Sequence, residues 1–287
     1  MSSVIVRILY LYGIYIYFSR SIVESRIMYS YYRLPRFGYQ ALIVWYRNLK
    51  VWKKLIGPAL VLHFGEPLIY LLGLGFGLGA LVGDISSMSY LTFLASGLVA
   101  SSAMMTASLE GTYSVFTRMV PQNTYSALLA TPIEIDDIMA GELLWCATKS
   151  LFSGVAIIIV AALLGAVESW SALWAIPIIF LSALCFTGPA IVIASFSQNY
   201  DFFNYYFTLA VTPMFVLCGV FYPVSNLPEV MQYVVYLLPL THAIELIRPL
   251  IAGTELTNVG LHLSVIIAYI LVFYYAAVVL VRKKLIV

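Results

Sequence analysis

The 287-residue sequence predicts an all-α polytopic membrane protein with six transmembrane helices, an amphipathic N-terminal interface helix and outer half-helices before the last span. Three observations carry this. Apolar residues make up 62% of the chain and charged ones only 10%, whereas about a quarter of a soluble domain is charged. The ionisable residues are separated by uncharged runs, and about 20 apolar residues cross a ~30 Å hydrocarbon layer. Those runs are continuous rather than alternating, which excludes an outer-membrane barrel. The same composition excludes disorder, three cysteines cannot build a disulfide framework, and a net charge of +2 gives no footing for nucleic acid.

In chain order, residues 1–37 form an N-terminal extension. Arg7 precedes the apolar run Ile8 to Phe18, but Ser19-Arg20-Ser21 lacks a cleavage pattern and the run is too short to span. Tyr10, Tyr12, Tyr15 and Tyr17 suit the headgroup layer. Met28 is a plausible alternative start, so the extension is expected to be dispensable or untranslated.

Over 38–55, Ala41, Leu42, Trp45, Leu49 and Trp52 recur at helical spacing among Arg47, Lys50, Lys53 and Lys54. That pattern predicts an interface helix on the inner membrane face.

A charge at a helix centre costs about 2.5–3.5 kcal/mol, so the spans fall in the uncharged runs, near 58–82, 90–114, 143–167, 172–195, 204–222 and 259–281. Nine of the 15 Lys and Arg residues precede the first span, and Arg282, Lys283 and Lys284 follow the last. An even number of spans puts both termini in the cytoplasm and leaves Arg248 outside. Cys146, Cys185 and Cys218 read as small apolar residues.

In the inner loop, Thr131-Pro132-Ile133-Glu134 predicts a capping box with proline at the first helical position. Glu134, Asp136 and Asp137 then favour the helix N-terminus. Before it, 121–130 predicts a short helix with an apolar stripe of Tyr125, Leu128 and Leu129. Helix and acidic turn together form either a docking surface or a merely solvated loop. In the outer loop, Asn226-Leu227-Pro228-Glu229 predicts a helix start, Pro239 an interruption, and Pro249 the end of a second half-helix in which Glu245 and Arg248 would pair.

Chemistry is sparse. No phosphate-binding GxxxxGK[ST] loop, HExxH or Ser-His-Asp pattern exists, and His63, His242 and His262 have no metal-ligand spacing, so neither catalytic nor metal-binding residues are expected. Gly73, Gly75, Gly77 and Gly79 read as two overlapping GxxxG packing steps. Glu66 and Glu110 keep an ion-coupled secondary transporter as the alternative, with a lipid-acting membrane enzyme behind it.

Against this background the chain resembles the permease subunits of type-2 ATP-binding-cassette (ABC) exporters. The resemblance rests on Trp45-Tyr-Arg-Asn with Trp52-Lys-Lys, Phe64-Gly-Glu-Pro-Leu-Ile-Tyr-Leu-Leu-Gly-Leu-Gly-Phe-Gly-Leu-Gly79, Met139-Ala-Gly-Glu-Leu143, Gly219-Val-Phe-Tyr-Pro223, Leu227-Pro228, Leu238-Pro-Leu-Thr-His-Ala243 and Ile247-Arg-Pro249. It covers 38–287, and within the family it is most similar to the nodulation-type lipo-chitooligosaccharide exporters.

The resemblance implies a cell inner membrane permease that moves a lipo-oligosaccharide or related amphipathic or polysaccharide substrate outward. It would work with a cytoplasmic ABC ATPase subunit that holds the ATP and magnesium, a second permease copy and membrane lipid. Coupling to the ATPase would fall to Arg118, Tyr125, Leu128, Leu129, Glu134, Asp136, Asp137 and Glu142, and the interface helix would act through Trp45, Arg47, Trp52 and Lys53. Pro223, Pro239, Glu245 and Arg248 would shape an outer gate. Charge reversal at Asp136 and Asp137 is expected to weaken ATPase binding without unfolding the spans.

Overall fold

The computed structural model describes residues 31–54, 56–57, 64–65, 68–85 and 87–285. The interfacial reading of 1–30, His63, Glu66 and the first part of the span at 58–82 lie outside the described residues.

Among the described residues the chain is helical apart from one tiny β-pair. Helix α1 (Gln40–Lys53) is followed by α2 (Leu68–Val82), and then by β1 (Asp84–Ile85) paired antiparallel with β2 (Met88–Ser89). Next come α3 (Tyr90–Met119), α4 (Thr124–Leu129), α5 (Ile135–Leu163) and α6 (Trp170–Phe196). The order ends with α7 (Phe202–Leu217), α8 (Glu229–Tyr236), α9 (Pro239–Ala252) and α10 (Val259–Leu285).

Four helices, α3, α5, α6 and α10, are long and apolar enough to cross a membrane. The predicted span at 204–222 is shorter, because α7 stops at Leu217 and Gly219 takes φ +91° to turn the chain back. Only α2, from Leu68, is described of the span at 58–82.

Helix α3 is the central element and packs against α5, α6 and α9, while α10 lies on α6 and α9. It can be central because it is apolar all round. Its serines hide their polarity, with Ser96, Ser101 and Ser102 each donating to the carbonyl three residues back. Gly97 lets the chain at Val220 press onto α3, since a Cβ there would stand 2.7 Å from the Val220 carbonyl oxygen.

The glycines of α2 divide. Gly75 packs where a Cβ would overlap Leu91, and Gly79 touches Tyr90 at ordinary contact distance. Gly73 and Gly77 face open space, so only one of the two expected packing steps closes within the chain.

Two caps differ from expectation. Helix α5 starts at Ile135, capped reciprocally by Glu134 and Asp137 rather than by Thr131. Thr131 is taken up closing the preceding helix, its hydroxyl donating to Leu128 O at 2.6 Å. In the second loop Pro239 does open α9, which meets α8 at 87°, but Pro249 lies inside α9 instead of ending it. The helix stops at Gly253, whose φ of +72° makes a left-handed C-cap.

Candidate functional site

A dense set of paired ionisable residues lies at one end of the bundle, where α3 finishes and α5 starts. Glu110 and Arg118, eight residues apart, would diverge by about 80° on a regular helix. A π-helical turn at Glu110–Ser114 adds the extra residue that returns both to the face against α5.

There Glu110 Oε2 takes Lys149 Nζ at 2.6 Å and Glu110 Oε1 accepts Trp145 Nε1 at 3.0 Å. Arg118 Nη2 reaches Glu142 Oε2 at 2.6 Å, and Arg118 Nη1 stands 3.6 Å from Glu110. Asn48 of α1 donates to the same Glu142 oxygen at 3.1 Å. Two carboxylates thus face two cations, which neutralises a cluster that could not otherwise leave water.

Three atoms of this cluster remain without hydrogen-bond partners: Arg118 Nε, Glu142 Oε1 and the Tyr125 hydroxyl. Tyr125 is the fully buried residue of α4. Burial pushes its phenol well up and Glu142 pushes it further, outweighing the opposite pull of nearby Arg118, and it stays protonated. Leu128 and Leu129 are half-buried beside it, as the predicted stripe requires, whereas Gln122, Asn123, Ser126, Ala127 and Ala130 are exposed.

A second ionic cluster sits at the start of α5. Asp136 and Arg282 form a buried forked pair, with Arg282 Nη2 2.6 Å from both carboxylate oxygens and Nε 2.9 Å from Oδ1. Arg282 Nη1 also donates to the carbonyls of Arg33 and Tyr31 at 2.6 and 3.0 Å. The backbone N–H of Arg36 binds Asp136 at 3.0 Å and that of Gly38 binds Asp137 at 3.1 Å.

Residues 31–38 are therefore strapped across the bundle end by contacts to Asp136, Asp137 and Arg282. Asp136 and Asp137 point inward, 1% and 6% exposed, so the expected acidic surface reduces to Glu134, which Arg33 pairs. A cleft of about 310 Å³ opens beside them, lined by Arg33, Leu129, Ile133, Glu134, Ile135, Asp136 and Arg282.

Helix α1 runs lengthwise along the first half of α5. Ala41 and Val44 meet Gly141, Trp45 Nε1 donates to Thr148 at 3.0 Å, and Trp52 stacks on Phe152 with centroids 5.1 Å apart. Arg47 and Lys53 point away, with no acidic partner among the described residues.

At the opposite end Arg248 does not pair with Glu245. Its guanidinium lies 3.7 Å over the Phe93 ring, donates to Ser96 Oγ at 3.0 Å and takes the Gly219 carbonyl at 2.6 Å. Those neutral acceptors tie α9 to α3 and to the turn before Pro223, and Glu245 is left half-buried with no side-chain hydrogen bond among the described residues. Nearby, His242 Nδ1 meets His262 Nδ1 at 2.8 Å and His242 Nε2 meets Tyr236 O at 2.8 Å. A carbonyl only accepts, so in the neutral pair His242 carries its proton on Nε2 and accepts from His262 Nδ1–H. Among the described residues no group of three or more His, Cys, Asp or Glu is placed to hold a metal.

Sequence reasoning had no means of finding Asn48, Lys149, Trp145 or the Asp136–Arg282 pair, because each joins residues far apart in the chain. The one available signal was the placement of acids inside helices otherwise free of charge.

Residues 39–252 match the ABC-2 type transporter family. The chain is 42% identical over 252 residues to "Nodulation protein J" of Rhizobium meliloti (strain 1021), covering 88% of this chain and 96% of the relative. Its counterpart in Bradyrhizobium diazoefficiens is 40% identical over the same shares. "Inner membrane transport permease YadH" of Escherichia coli K12 is 23% identical over 80% of this chain and 88% of its own length. No solved structure matches significantly. With its family match covering most of the sequence and its relatives near 40% identity, the chain belongs to the ABC-2 type transporter family, as a membrane permease subunit and not an enzyme.

Proposed function

We propose that the charged end of the bundle faces the cytoplasm and is where a separate ABC ATPase docks. ATP and magnesium would bind that partner, and the permease, paired with a second copy, would export an amphipathic lipo-oligosaccharide. The six spans of this reading are α2 with the residues before it, α3, α5, α6, α7 and α10. The orientation is supported by charge: Arg118, Lys149, Arg282, Lys283 and Lys284 gather at this end and Arg248 alone among the described cations at the other. The substrate class follows from the resemblance to nodulation-type exporters, with which the similarity to the nodulation relatives agrees.

The observation that carries the coupling reading is the seat of α4. Its exposed side presents Ser126 and Ala127 outward, while Tyr125 is plugged into the cluster that joins α3 to α5. A push on α4 would reach both helices through Arg118 and Glu142. Asp136, Asp137 and Glu142 then act as positioning residues for the loop, and Leu128, Leu129 and Glu134 border the contact. The arched pair α8 and α9, with Pro223, Pro239, Glu245 and Arg248, would line the outer exit.

Ion coupling through Glu110 is disfavoured because Lys149 already neutralises it.

The test is co-purification with the ATPase and export of labelled substrate into inverted vesicles. Ser126→Arg with Ala127→Arg is expected to lose both while the permease keeps its elution profile. Undiminished ATPase binding by that variant would overturn the docking assignment.

A further inference from the structure

We propose that the outward face of α1 binds the headgroups of anionic phospholipids in the inner leaflet, and that the buried cluster reads their presence. The inference rests on the orientation and ATPase coupling proposed above. Helix α1 contains no acid, and its cations Arg47, Lys50, Lys53 and the following Lys54 have no carboxylate partner among the described residues. By contrast Arg33, Arg118, Lys149 and Arg282 are all paired with acids.

The unpaired cations are not scattered. At 3.6 residues per turn, Leu42, Ile43, Tyr46, Arg47, Lys50 and Lys53 fall within an arc of roughly 140°. Ala41, Val44, Asn48 and Trp52 occupy the buried opposite side. The outward arc mixes half-exposed apolar side chains, Leu42 at 58%, Ile43 at 52% and Tyr46 at 50%, with lysine, and Lys50 lies 4.8 Å over the Tyr46 ring. Apolar bodies with basic tips suit the boundary between acyl chains and headgroups.

The level is also right. Trp45 in the first half of α1 reaches Thr148, and Trp52 in its last turn stands beside Trp145 and Phe152, where the charges of α5 end; 150–163 carries no ionisable residue. The lysines therefore sit where the protein surface changes from polar to apolar, which is the depth of lipid phosphate.

The buried side gives the response. Asn48 holds Glu142, the partner of Arg118, and Trp52 meets the edge of Trp145, which donates to Glu110. Drawing α1 toward the membrane surface thus changes the cluster in which Tyr125 of α4 is seated. Lipid charge would set how firmly α4 transmits the ATPase stroke.

The permease–ATPase complex is to be placed in nanodiscs of phosphatidylcholine alone or with added phosphatidylglycerol. Two quantities are read: ATP turnover, and phosphatidylglycerol retained by the released complex in native mass spectrometry. The wild type is expected to turn over several-fold faster with phosphatidylglycerol, the gain fading as salt is raised. Each lysine contributes roughly fivefold to partitioning onto an anionic surface, so Lys50→Gln with Lys54→Gln should cut retention roughly thirtyfold and abolish the gain. Asn48→Ala should keep retention and lose the gain, which a merely anchoring helix would not do.

Equal wild-type turnover in the two lipids, or full retention by the lysine variant, overturns the proposal. So does loss of ATPase from the lysine variant in phosphatidylcholine, which would assign the cations to the protein partner. If even the wild type fails to hold the ATPase, the docking reading fails instead, and retention alone still decides whether the face binds anionic lipid.

Discussion

Arg282 illustrates how far a residue's role can lie from its place in the sequence. Among three consecutive cations at the end of an apolar helix it reads as a topology signal, yet it is 2% exposed and forked onto Asp136. Removing one member of a buried pair strands the other, at a cost of about 3–5 kcal/mol. Asp136→Lys is therefore expected to collapse the thermal stability of the solubilised permease as well as ATPase binding, contrary to a surface role. A melting temperature within a degree or two of wild type would refute the buried pair. Tyr125 gives the opposite sign. Its hydroxyl is buried without a partner, a condition that costs about 1–3 kcal/mol, so Tyr125→Phe should leave the melting temperature unchanged or raised. A clear loss of stability would mean the hydroxyl is bonded after all. The stripe of α4 was legible because 3.6-residue periodicity exposes it, whereas the partners of Arg118 and Arg282 were not, since no local rule links positions 24 and 146 apart.

Charge-free runs located α3, α5, α6 and α10 because an unpaired charge is costly in hydrocarbon. The rule marks only the membrane part of α5, near 143–167. The helix itself starts close to the expected cap at Thr131–Glu134 and runs from Ile135 through Asp136, Asp137, Glu142 and Lys149, all of them paired or hydrogen-bonded. Neutralised charges do not end helices. The rule overran α7, where backbone conformation at Gly219 and not hydrophobicity sets the limit. Contact between α1 and α5 depends on a residue that composition renders invisible. A Cβ on Gly141 would lie 2.7 Å from the Ala41 carbonyl and 2.6 Å from Val44 Cβ. Gly141→Val is expected to lever α1 off its seat and cost about 1–3 kcal/mol, as overpacking does. The associated signature is loss of the Asn48–Glu142 contact, so that a cysteine pair placed across α1 and α5 should crosslink less efficiently in the variant. Equal crosslinking would show that α1 is held by other means.

At the scale of the whole molecule, three distant parts of the chain meet at one point: the segment 31–38, the start of α5 and the end of α10. The segment supplies two carbonyls to Arg282 and two backbone N–H groups to Asp136 and Asp137, while Tyr275 donates to Tyr32 O at 2.9 Å and Phe37 stacks on Tyr274. Arg282 loses acceptors without this strap, and Asp136 loses a donor. Hydrogen bonds to charged groups are worth about 1.5–3 kcal/mol each, although they do not simply add. The comparison that isolates the strap is between chains starting at residues 31 and 39, which differ in those contacts together with the Arg33 pairs to Glu134 and Asp136 and the Lys283–Tyr32 contact. The shorter chain is expected to be less stable by on the order of 3 kcal/mol or more, and its ATPase co-purification should fall with the loosening of the loop at Glu134. Because the segment clasps both α5 and α10, the loss should extend to the whole bundle: protease cleavage in 120–134 and thermal unfolding of the spans should be promoted together. Equal melting temperatures for the two chains would reduce the strap to a surface contact, and cleavage of the loop without loss of span stability would confine its action to α5.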